Sequence, residues 1–152
     1  MQQKLRIGFV SVSDAKNVNT WSGIPAQVLA CLQKLDVHVE VYSPLSQRKK
    51  YFLAPLKAIA RLRQTSVSLD HYPLLTRSYA NQIKHAMLSR PVDVIVAMSS
   101  IPISALDCRQ PIIFWTDAVF HAMYGYYNGA FKGMSIGAIQ RAKNQEEAAL
   151  NN

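Results

Sequence analysis

Short β-branched runs alternate with helical patterns along this chain. Residues 5–12 (L-R-I-G-F-V-S-V) read as a strand, and from Pro25 to Leu35 the side chains of Val28, Cys31, Leu32 and Leu35 share one helical face, which assigns Cys31 to the core. Val37, Val39 and Val41 alternate with His38, Glu40 and Tyr42, the period of a strand with one wetter face. Residues 92–98 (V-D-V-I-V-A-M) and 111–115 (P-I-I-F-W) are nearly continuous apolar runs, as expected of strands buried on both faces. Ahead of them, residues 78–90 carry Tyr79, Ile83, Ala86 and Met87 at helical spacing, and a weaker run at 66–72 offers a third strand.

Strand and helix in alternation predict a parallel sheet, because parallel neighbours need the crossovers that helices supply. The expected class is α/β, a Rossmann-like sheet flanked by helices, with strand order 3-2-1-4-5. The domain covers residues 1–134; residues 135–152 form a C-terminal helix without a glycine or proline stop. In such sheets ligands bind beyond the carboxyl ends of the strands where the order reverses, here between the first and fourth predicted strands. Residues 13–24, 99–103 and 116–121 should line that crevice.

Composition narrows the function. A chain of 152 residues with 49% hydrophobic content can bury a core, so disorder is not expected. Lys and Arg outnumber Asp and Glu by 17 to 9, a net charge of +8, which favours an anionic partner: nucleotide, phosphorylated sugar, acidic lipid or nucleic acid. Cys31 and Cys108 stand far apart outside any C-x-x-C spacing, so no zinc site or disulfide framework is expected, and a reduced, cytoplasmic compartment fits. The N-terminus lacks the h-region of a signal peptide, and no run reaches membrane-spanning length.

The loop T-W-S-G-I-P-A-Q at 20–27 carries the first candidate chemistry. Ser22, Gly23 and Ile24 lead into a helix opening on Pro25, where free N–H groups and the positive dipole end attract anions. Gly23 would let the backbone approach a phosphate or sugar closely; the plainer reading is a tight turn with Trp21 as packing. Neither G-x-G-x-x-G nor G-x-x-x-x-G-K-[ST] occurs, which argues against a dinucleotide dehydrogenase or P-loop ATPase. Asp117 falls at the end of the fifth predicted strand, either capping the next helix or holding sugar hydroxyls. His121, four residues on, raises an acid/base pairing set against simple packing among aromatics. Ser99 and Ser100 read as a turn facing the crevice, without the G-x-S-x-G elbow of a nucleophile. Between Glu40 and Asp70 there is no acidic residue. From Lys50 to Arg63, a helix would place Phe52, Leu56, Ile59 and Leu62 on one stripe and Lys50, Lys57 and Arg61 opposite; the stripe either covers the sheet or lies on an anionic membrane.

K-L-R-I-G-F-V-S-V-S-D, T-W-S-G-I-P, V-D-V-I-V-A-M-S-S-I-P-I and P-I-I-F-W-T-D-A-V-F, in that order from Lys4 to about Tyr127, resemble the N-terminal half of group 1 (family 4) retaining glycosyltransferases of GT-B architecture. The resemblance implies an acceptor-binding domain, with the nucleotide-sugar donor held mainly by a second domain bearing paired glutamates. It places Ser22 and Gly23 at the donor phosphates and Asp117 at the catalytic position. Trp21, Ser99, Ser100, Thr116 and His121 are assigned to acceptor or sugar binding. Many members have His-Asp where this chain has Thr116 and Asp117, so a histidine contact is not carried over. The resemblance further implies that the donor phosphate itself helps deprotonate the acceptor. No metal or cofactor is expected.

The expected partners are thus a nucleotide-sugar and a sugar or lipid-linked acceptor, with peripheral contact at the inner membrane face through Lys50 to Arg63. Read this way the chain is half of an enzyme and turns over little alone. The alternative is a stand-alone, non-catalytic Rossmann-like module binding an anionic ligand or partner. Nucleic acid is the weakest option, since no motif or aromatic platform accompanies the basic residues. A reading frame continuing into a second α/β domain would separate the first two.

Overall fold

The computed structural model describes residues 4–126, 131 and 133–152. Among them β1 (Arg6–Val10), β2 (His38–Tyr42), β3 (Val94–Ala97) and β4 (Ile112–Phe114) form one all-parallel sheet in the order β2-β1-β3-β4. Helix α1 (Ile24–Gln33) joins β1 to β2; α2 (Ala54–Leu62) and α3 (Pro73–Ser89) lie between β2 and β3; α4 (Phe120–Tyr126) and α5 (Ile136–Leu150) follow β4. The chain is therefore α/β and Rossmann-like. The expected third strand does not form: Ser66 makes one isolated bridge to Met134, and Leu69–His71 is a 3-10 turn. Leu69 buries itself from that turn, and Pro73 at the start of α3 takes the chain straight into helix.

Alternation along the strands sorts the core into two layers. On one face Val10, Ile95 and Ala97 meet Leu75, Tyr79 and Ile83 of α3 and Ala149 of α5. On the other, Phe9 and Met98 meet Leu29 of α1, with Val28 and Leu32 packed around them. Cys31, expected inside, is exposed, because the inner edge of α1 runs through Pro25 and Leu29. The face expected to be wetter on β2 holds buried Tyr42: Gly8 opposite leaves room for the ring, Arg90 stacks on it with the guanidinium carbon 5.0 Å from its centre, and its hydroxyl donates to the Arg90 carbonyl. The run at 111–115 is not buried on both faces either. β4 is an edge strand, and Ile113 and Trp115 are 60% and 55% exposed on the α1 side, where α1 does not reach.

Tyr79 is fully buried, and among the described residues its hydroxyl has no hydrogen-bond partner, so burial raises its pKa above the ordinary phenol value. An unpaired buried hydroxyl costs about 1–3 kcal/mol, and phenylalanine keeps the ring. Tyr79→Phe should therefore raise the melting temperature by about 2–4 °C for each kcal/mol recovered, followed by thermal circular dichroism; a fall would reveal a partner for that hydroxyl.

Candidate functional site

Register places the strand tips in one row: Val10 pairs with Tyr42 and Ala97, and Ala97 pairs with Phe114. From β1 the chain crosses to β2 on one side, while β3 lies on the other, so the order reverses between β1 and β3. A crevice of about 470 Å³ opens there. Ser11, Val12 and Ser13 line it beyond β1, and Met98, Ser99 and Ile101 beyond β3; Thr20, Trp21 and Pro25 close a third side, and Gln47, Lys50 and Asp70 a fourth.

Each wall is held from behind. The Ser43 hydroxyl donates to the Ser13 carbonyl (2.8 Å) and accepts from the Ala15 N–H (2.7 Å), tying the β1 loop to the β2 loop. Ser135 caps α5 through the Ala138 N–H (3.3 Å), and α5 then pins the loop after β3: Gln145 donates to the Ile101 carbonyl (3.4 Å) and Asn152 to that of Ile103 (2.7 Å). Trp21, Ser22 and Gly23 are left-handed in succession, with φ of 45°, 53° and 79°. This turn aims Trp21 into the crevice while packing it beside Ile24 and Leu29.

The expected site residues divide. Trp21 and Ser99 come together in the crevice. Ser22 is exposed and Gly23 is buried under the Val18 carbonyl, and neither lines the cavity. Ser100 also lies outside its lining; its carbonyl accepts the Ile103 and Ser104 N–H groups at 3.3 and 3.0 Å, closing the expected turn. Thr116 and Asp117, beyond β4, are exposed and not in the wall; Thr116 donates to the Ala118 carbonyl (2.8 Å). Among the described residues Asp117 makes no hydrogen bond or ion pair, so it does not cap α4. Glu146 does, accepting the Phe120 N–H at 2.9 and 3.0 Å. The side chain of His121 and all of Tyr127 lie outside the described residues.

Gln47, Lys50 and Asp70 are wall residues that sequence reading missed. Lys50 Nζ and the Asp70 carboxylate pair at 2.7 Å across two 3-10 turns. Asp70 is the first acid after the long basic interval, the one signal that pointed to it. Next to it, His71 Nδ1 lies 2.8 Å from Ser68 Oγ, and its ring meets Phe120 edge-on at 5.7 Å. Burial lowers the His71 pKa below 6.5, Asp70 opposes the shift and Arg141 adds to it. The folded pKa is the depressed one, so the unfolded chain takes up the proton first and stability declines as pH falls through about 6.5, until the folded ring also protonates. Between about pH 7.5 and 5.5 the melting temperature of the parent should drop more than that of His71→Gln; equal drops would assign the acid sensitivity elsewhere.

Chemically the crevice joins an aromatic face, several hydroxyls and a paired ammonium and carboxylate, without histidine or cysteine in its described wall. Such a wall suits a ligand rich in hydroxyl groups. Among the described residues no three His, Cys, Asp or Glu are grouped to hold a metal ion, and no helix is long and apolar enough to cross a membrane. Comparison with protein-family models, curated proteins and solved structures returns no match in any of the three.

Proposed function

We propose that this chain is the acceptor-binding half of a retaining GT-B glycosyltransferase, which moves a sugar from a nucleotide-sugar to an acceptor. The observation that carries the reading is that T-W-S-G-I-P and M-S-S-I-P-I, distant in sequence, supply facing walls of one crevice where the strand order reverses. The indole of Trp21 offers a stacking surface for a sugar ring, and Ser11, Ser13, Ser99 and the Lys50–Asp70 pair offer donors and acceptors to its hydroxyls. The donor phosphate is proposed to meet the start of α1 near Ser22, at the positive end of the helix dipole, although neither Ser22 nor buried Gly23 lines the crevice itself. Asp117, exposed beyond the same row of strand tips, is the carboxylate proposed to meet the transferred sugar.

In the transfer, the bond from the anomeric carbon to the donor phosphate breaks as the bond to the acceptor oxygen forms, and the acceptor proton passes to the departing phosphate. Ring stacking and hydroxyl contacts hold the acceptor for that step, and a second domain would bring the donor. Without such a domain, binding would be weak and turnover slight.

Saturation-transfer NMR against a panel of methyl glycosides and disaccharides at millimolar concentration tests the reading. At least one sugar should receive saturation, and Trp21→Ala should weaken its binding by about tenfold, the upper range for one aromatic contact. No sugar bound, or a bound sugar indifferent to Trp21→Ala, would remove this function.

A further inference from the structure

The stripe of Phe52, Leu56, Ile59 and Leu62, if it covered the sheet, would be buried. Only Leu56 is half-buried, and the other three are exposed. The 3-10 turn Arg48–Leu53 and α2 anchor themselves through Leu53 and Ala60, while Phe52 is 76% and Leu62 85% exposed and Ile59 is exposed between them. Arg48, Lys57, Arg61 and Arg63 are exposed on the same segment, and among the described residues only Lys50 of this interval has a carboxylate partner.

We infer that this segment docks on an anionic lipid surface, its apolar stripe facing the bilayer and its cations on the polar side and flanks. Large apolar side chains and unpaired cations on one short helix are both satisfied at a bilayer interface, where the former enter the acyl boundary and the latter meet lipid phosphates. A second copy of the chain fits poorly, because a self-complementary contact would set these cations against themselves with no carboxylate in the interval to offset them. A nucleic acid would engage the cations and leave Ile59 and Leu62 in water.

The position of the face gives docking a consequence. Gln47 and Lys50 line both the crevice and a neighbouring cavity of about 420 Å³ that Arg48 and Tyr51 complete, so the docking segment adjoins the crevice wall. The docking itself is independent of the proposed reaction. Where that reading is added, and resting on it, the acceptor class becomes a lipid-anchored sugar.

Co-sedimentation of the full chain with vesicles tests this, using phosphatidylcholine alone or with about a third phosphatidylglycerol. The chain should bind the anionic vesicles at least about tenfold more tightly than the neutral ones. Each cation near the surface adds about fivefold, so Lys57→Glu with Arg61→Glu should lower binding by more than about tenfold. Phe52→Ser with Leu62→Ser should lower it by about tenfold as apolar insertion is lost. Circular dichroism of both double variants should match the parent, since all four side chains are exposed. The inference is overturned by absent vesicle binding, by equal binding to both vesicle types, or by full retention in the apolar double variant. It is equally overturned by tighter binding to single-stranded RNA than to vesicles, or by a lipid-free dimer that Leu62→Ser dissolves. Vesicle binding without sugar binding would leave docking standing and remove the transferase reading; sugar binding without vesicle binding would do the reverse.

Discussion

Gly23→Val should cost about 2–3 kcal/mol, a fall in melting temperature of about 5–10 °C for a chain of this length. Gly23 is buried with φ of 79°, and a Cβ there would lie 3.1 Å from the Val18 carbonyl oxygen. A β-branched side chain meets both the left-handed penalty and that oxygen. The loop has little slack to absorb the change, since Trp21 and Ser22 before it are already left-handed. Thermal circular dichroism measures the loss, and Gly23→Ala should show about half of it. A valine variant melting with the parent would mean that the turn has another shape. The same substitution moves Trp21 and should weaken sugar binding along with stability.

Gly8→Val attacks the sheet from its middle and should cost about 2 kcal/mol. The added Cβ would stand 2.9 Å from the Tyr42 ring and 3.1 Å from a Val92 methyl. The ring cannot swing aside freely, being held by its hydroxyl bond to the Arg90 carbonyl and by the Arg90 guanidinium on its face. Urea denaturation should show a lower midpoint with an unchanged slope. Gly8→Ala combined with Tyr42→Leu, which vacates the space, should be more stable than Gly8→Ala alone; no recovery would mean that the contact with Tyr42 is not what makes glycine necessary.

The sheet was legible because buried parallel strands write themselves as apolar runs, and β1, β3 and their connections follow the pattern directly. Periodicity alone does not say which flank of a run is covered. Cys31 sits at helical spacing with Leu32 yet faces water, and Ile113 shares an apolar run with Phe114 on a strand that proves to be an edge. Val67 and Leu69 imitate a strand, whereas the chain is turning toward Pro73. At the crevice, Trp21 and Ser99 were legible from their places after strands. Lys50 and Asp70 were not, because their pairing depends on two 3-10 turns folding against each other. A cap on the following helix was one of the two roles open to Asp117, and the carboxylate that caps that helix comes from Glu146, far along the chain.

Amide chemical-shift mapping with the best-binding glycoside tests the central assignment most directly. The amides at 11–13, 20–24 and 98–101 should shift on titration, while those of Arg6 and Asp93, at the opposite ends of the strands, stay in place. Shifts centred on Arg6 and Asp93 with the strand tips silent would contradict it.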